Sequence, residues 1–325
     1  MHPTTHRPTI QSRAGAFFAR LWSASPVLTA VGLLMLVVAM LSAVAIFADP
    51  RVITGAPAWL KPFKFAISTA IYSLTLAWIF TWLTAWPRMR RVVGWMTAIV
   101  FVLEVAIIDL QAFRGTTSHF NATTPFNRTL FFVMGGAIVM QTIVSAWTAV
   151  ALWKQRFDDR ALGWALRFGM ILTIAGAFTG ALMTRPTDAQ LARMRAGEPM
   201  TIVGAHTVGG DDGGPGVPVT GWSREHGDVR VPHFVGLHAI QALAILALVL
   251  RRWRGRDSDR VRLVLTAAAS YATLFALLLW EALRGESVVA PDTTALTSFA
   301  CWASITALAV GWIAIRSRAR ARVTT

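Results

Sequence analysis

Eight blocks of about twenty apolar residues, separated by polar or basic stretches, constrain this 325-residue chain more than any other feature. A helix rising 1.5 Å per residue needs about that length to cross a hydrocarbon layer of roughly 30 Å. The blocks run at 27–48, 63–86, 92–113, 129–152, 161–183, 233–250, 263–283 and 295–315. A soluble domain of this size is nearer a quarter charged. Here 14% of residues are charged and 55% are hydrophobic. The blocks therefore predict an all-α integral membrane protein whose first partner is the lipid bilayer. The formal net charge of +15 does not point to nucleic acid, because the arginines sit in short clusters between blocks with no basic-aromatic face. Cys301, the one cysteine, leaves no intrachain disulfide and no cysteine-based metal cluster. The first block is too long for a signal-peptide core, so it reads as a retained span, although Ala43-Val44-Ala45 resembles a cleavage site.

The basic residues predict direction. Arg7, Arg13 and Arg20, then Arg88, Arg90 and Arg91, then Lys154, Arg156 and Arg160, then the 251–262 loop, then Arg316, Arg318, Arg320 and Arg322 alternate correctly for one side of eight spans. These short segments hold nineteen of the thirty-one basic residues. Positive charge collects on the cytoplasmic side. Both termini are expected there, with loops 49–61, 114–128, 184–232 and 284–294 facing outward. The Ala- and Arg-rich composition suggests a bacterial inner membrane.

The chain also matches itself at an offset of 170 residues. Pro62 meets Pro232, Arg90 meets Arg260, and Ala112, Arg114 and Gly115 meet Ala282, Arg284 and Gly285. Thr123 and Thr124 meet Thr293 and Thr294. Two tandem four-helix repeats follow as the expectation, 27–152 and 161–316, between cytoplasmic tails 1–26 and 317–325. An even number of spans per repeat gives both the same orientation, related by a parallel pseudo-twofold along the membrane normal. Each Arg-Gly pair ends the third helix of its repeat. Glycine there suits the left-handed helix cap, and the arginine meets the negative helix end or snorkels to head groups. Alternatively, Arg114 and Arg284 line an outer site as anion ligands, with Gln111 and Glu281 one turn before them.

Ionisable groups inside spans are costly and mark functional sites by default. Glu104 and Asp109 lie in the third span, Glu104 near mid-bilayer and on one face with Gln111. With Glu281 they are the candidate acids and bases. Lys61 reads as snorkelling outward, whereas Lys64 suits either snorkelling or substrate binding beside Gln111, Arg114, Gln241 and Arg284. His233 sits at the mouth of the sixth span, and His238 lies inside it with Gln241 on the same face. His119 and His206 lie in outer loops. These four histidines are the candidate ligands of a transition metal (zinc, iron or copper) or a haem, although no spacing is diagnostic. The long loop 184–232 is glycine-rich and carries Asp211 and Asp212. It reads either as a solvated loop or as a lid.

The layout resembles that of haem A synthases, which have eight spans in two four-helix repeats and outer-side histidines. That resemblance implies an oxidoreductase. The family carries paired histidines in both halves and this chain does not, so no haem ligand is transferred. The leading expectation is a metal- or haem-dependent membrane-embedded enzyme with an outward-facing His/carboxylate pocket, acting on a small-molecule or lipid-soluble substrate. A proton-coupled transporter centred on Glu104 is the alternative, and an accessory subunit that binds a partner through the long loop is the third.

Overall fold

A computed structural model describes residues 10–253 and 255–323. His2, His6, Arg7 and Arg254 lie outside the described residues, as do the side chains of Arg13 and Arg322. The helices are α1 (Ile10–Ala24), α2 (Pro26–Ala48), α3 (Leu60–Phe80), α4 (Pro87–Phe113), α5 (Pro125–Lys154), α6 (Arg160–Met183), α7 (Asp188–Arg195), α8 (Arg230–Leu237), α9 (Ala239–Leu250), α10 (Asp257–Leu283) and α11 (Thr293–Val323). Two antiparallel two-residue pairs complete the described elements, β1 (Val52–Ile53) with β2 (Ala56–Pro57) and β3 (Thr207–Val208) with β4 (Gly227–Asp228).

Among the described residues, seven helices are long and apolar enough to cross a membrane. The joined α8 and α9, bent by 43°, make a further span if counted as one. This is a multi-pass helical membrane protein. Helix starts follow local chemistry. Ser25, Thr124 and Asp159 accept the hydrogen bonds of otherwise unpaired N–H groups at the starts of α2, α5 and α6. Pro26 and Pro125 occupy the first helical turn, where no donor is lost.

Two elements depart from the sequence expectation. The second apolar block runs to residue 86, but α3 stops at Phe80. The surplus apolar residues fold into a turn, where Leu83 is fully buried against the core. Residues 10–24, expected as tail, form α1. Its Leu21 enters the core while Phe17, Phe18 and Trp22 stay exposed, the pattern of a helix lying in an interface.

The bundle has two unlike ends. At the basic end, Asp159 at the start of α6 ion-pairs with Arg251 and with Arg260 of α10. The largest apolar cluster lies toward this end, with Leu76, Ile79 and Phe80 of α3 packed among Leu152, Leu162, Leu166, Met170 and Leu243. Lipid gives helices little solvophobic reason to associate, so close packing holds them together. The tightest approach joins α6 to α8. A Cβ on Gly236 would stand 2.4 Å from the Gly176 Cα, so only glycine fits. The bend at His238 leaves carbonyls without helical partners. Tyr271 Oη donates to Val235 O at 2.6 Å, and Thr173 Oγ1 to Leu237 O at 3.3 Å. Side chains of neighbouring helices thus satisfy a broken span, as the hydrocarbon interior requires.

Candidate functional site

The opposite end is overlaid by the segment between α6 and α8. It is tied down along its length rather than loose. Gln190 both donates to Gly204 O and accepts from Gly204 N. Ala122 N donates to Thr201 O, Val203 N to Phe120 O, and Val229 N to His206 O. Ser287 Oγ donates to Ser223 O. Arg230 grips Asp228 through Nε and a terminal nitrogen and also donates to Gly221 O. The two readings of this loop resolve toward an ordered cover.

Beneath this cover sits a cluster of cations and imidazoles. Lys61 Nζ is 3.1 Å from His119 Nδ1, and Ser118 Oγ lies 3.0 Å from the same nitrogen. Lys61 was expected to snorkel, but its ammonium turns onto an imidazole contributed 58 residues later. Lys64, one turn along α3, donates to Thr220 O of the cover at 2.9 Å. Among the described residues, neither lysine has a carboxylate oxygen within the 4.0 Å of an ion pair, although other bases in the fold do. His206 stacks edge-on against Phe120, and His119 against the same ring.

Protonation follows from surroundings. Burial holds the His119 imidazole well below its ordinary 6.5, and the positive Lys61 beside it acts the same way. Burial also lowers His206, partly offset by its hydrogen bond to Asp212. Burial works to raise Asp212, but the donors His206 Nδ1 and the His206 and Thr207 N–H groups outweigh it and hold the carboxyl well below the usual range. The 2.8 Å contact between His206 and Asp212 is therefore a neutral imidazole donating to a carboxylate rather than a full ion pair.

Glu104 lies deeper on α4, only 2% exposed, with neither carboxylate oxygen hydrogen-bonded. Gln111, two turns toward the loop end, is fully buried and donates to Asn127 Oδ1 at 3.1 Å. Arg114 donates to the same oxygen and stacks on Phe126. Arg284 instead pairs with Glu286 and Asp292 and covers Trp280. The two arginines are thus held in separate corners. Glu281 belongs to the second corner, away from Glu104. Asp109 is half-buried with one oxygen unpartnered.

His119, His206 and His233 lie near enough to act on one another electrostatically. Among the described residues no group of three or more His, Cys, Asp and Glu side chains is placed to hold an ion. Each imidazole has its own task. His119 Nδ1 meets Lys61, His206 Nδ1 meets Asp212, and His233 Nδ1 lies 2.8 Å from Gly176 O. His238 sits at the helix bend between α8 and α9. Gln241 donates to Thr75 Oγ1 on α3 at 3.4 Å. The residue that sequence reasoning missed is Lys61. Its one available signal was its position on the same face of α3 as Lys64. No family model, curated protein or solved structure matches this chain.

Proposed function

We propose that the loop end is an outward-facing site that binds the anionic group of a small-molecule or lipid substrate, in a membrane-embedded enzyme working by acid–base chemistry. The observation that carries this reading is the pair of Lys61 and Lys64, two amino groups under an ordered cover with, among the described residues, no carboxylate in ion-pair reach. A buried ammonium without a carboxylate in direct contact is costly and favours a ligand of opposite sign. His119 touches one ammonium and is suited to relay its proton. Glu104, unpartnered and deeper, is the acid or base for the bound substrate.

The orientation is part of the proposal. The basic end faces the cytoplasm of a bacterial inner membrane, with both termini on that side. Two tandem four-helix repeats make up the scaffold. Their support is that α4 and α10 match at both ends under the 170-residue offset, as do α3 and the α8–α9 pair. The packing order repeats as well. α2 on α3, α3 on α4 and α4 on α5 correspond to α6 on α8–α9, α8–α9 on α10 and α10 on α11.

The test is phosphate titration of the purified protein, followed by thermal unfolding. Inorganic phosphate is expected to raise the unfolding temperature, since a ligand bound only by the folded state adds RT ln(1 + [L]/Kd). Lys61→Gln and Lys64→Gln should each weaken the effect about tenfold, equivalent to about 1.4 kcal/mol. Glu104→Gln should keep it, because that change removes a negative charge. A shift of equal size in both lysine variants would remove the anion site.

A further inference from the structure

Polar side chains continue below the lysines. On α3, Lys61, Lys64, Ser68, Tyr72 and Thr75 recur at three- and four-residue steps and share one face. On α4, Thr97, Glu104 and Gln111 recur every seven residues. Neighbouring helices extend this seam. Tyr72 Oη lies 3.0 Å from Ser145 Oγ of α5, and Gln141 Nε2 donates to that oxygen at 3.3 Å. Gln241 of α9 reaches Thr75. The Tyr72 ring meets Phe101, one turn from Glu104, at 5.4 Å.

Many of these groups are left unsatisfied. Both oxygens of Glu104, Oε1 of Gln141, Oε1 of Gln241 and the hydroxyl of Thr97 have no partner among the described residues. Thr97 is fully buried, Glu104 is 2% exposed and Gln141 is 8% exposed. Each such group is destabilising when it is left dry. Lipid supplies no donors, so a contiguous run of them calls for water, which bridges buried polar groups through two to four hydrogen bonds. The seam stops at Thr75 and Gln241. The next turn of α3 and α9 brings Leu76, Ala77, Ile79 and Leu243 into the apolar cluster.

We propose that this seam is a water-filled cleft, entered from the loop end past Lys61 and His119 and sealed toward the basic end, and that it gives Glu104 proton exchange with the loop side alone. Its ligands are water and the proton. The cleft is independent of whether the cluster above it binds an anion.

Cysteine accessibility tests it directly. Cys301 is the one native cysteine and is exposed, so Cys301→Ser gives a clean background. Ser68→Cys, Thr75→Cys and Ser145→Cys enter the cleft, and Ala77→Cys enters the apolar seal. Val219→Cys and Asp158→Cys report the loop and basic ends. Each variant is reconstituted into phosphatidylcholine–phosphatidylglycerol vesicles and treated with a membrane-impermeant methanethiosulfonate. The three cleft positions are expected to react only from the side that labels Val219→Cys, while Ala77→Cys stays silent from both sides. Silent Thr75→Cys and Ser145→Cys in vesicles where Val219→Cys reacts overturn the cleft. Labelling from the Asp158→Cys side overturns its sidedness. Adding Lys64→Gln should leave the pattern unchanged while phosphate binding falls, so the cleft and the anion site fail separately.

Discussion

In the contact between Lys61 and His119, a protonated Lys61 can only donate, so His119 Nδ1 then accepts and the ring carries its proton on Nε2. Burial first, then the positive Lys61, keeps this imidazole neutral in the folded protein. The sign of the pH effect follows. His119 and His206 both have folded-state values below the ordinary 6.5. Their contribution to stability is complete above about pH 6.5 and is lost as pH falls and the unfolded chain takes up protons that the folded one refuses. Asp212 is depressed too, so its contribution persists above the ordinary 3.8 and is lost only under stronger acid. Thermal unfolding should therefore fall from about pH 6.5 downward, and His206→Gln should flatten part of that slope. A flat profile between about pH 7 and 5 would contradict neutral histidines at this site. The sequence showed Lys64, His119 and Glu104 as candidates through their placement in or beside apolar blocks. It did not show Lys61 as a partner of His119, because sequence periodicity carries no information about a contact between a helix and a distant loop.

Helix ends carry the clearest agreement between sequence and structure. The two Arg-Gly pairs were expected to cap helices, and both glycines take positive φ, 71° at Gly115 and 80° at Gly285. Thr116 N returns to Gln111 O and Glu286 N to Glu281 O, closing the same turn after α4 and after α10. The broken sixth span was not legible. It accompanies the backbone approach of Gly236 to Gly176, a contact between elements that neither glycine announces alone. Gly236→Ala should cost about 1–3 kcal/mol, because a methyl group must push α6 and α8 apart. Gly136→Ala is the control. A Cβ there meets nothing within 4 Å, and alanine suits a helix better by up to about 1 kcal/mol. Heat unfolding in detergent compares them. An unchanged midpoint for Gly236→Ala would show that the helix contact is looser than described.

At the scale of the whole molecule, charge, packing and polarity divide the same way. Arginines gather at one end, while the other end holds the covered cluster. Block lengths made the multi-pass architecture readable because bilayer thickness fixes them. The cover was less readable, since its order comes from scattered backbone bonds and not from any periodic pattern. The central claim is that Lys61 and Lys64 form an outward-facing anion site. The chain has three lysines, and the third, Lys154, is exposed at the basic end. The most direct measurement is labelling with an impermeant amine reagent in right-side-out and inverted vesicles, with and without inorganic phosphate, read residue by residue by mass spectrometry. The account predicts that Lys61 and Lys64 are labelled in right-side-out vesicles and protected by phosphate, with Lys154 labelled in inverted vesicles alone. Labelling of Lys61 and Lys64 from the same side as Lys154, or labelling that phosphate does not slow, would contradict it.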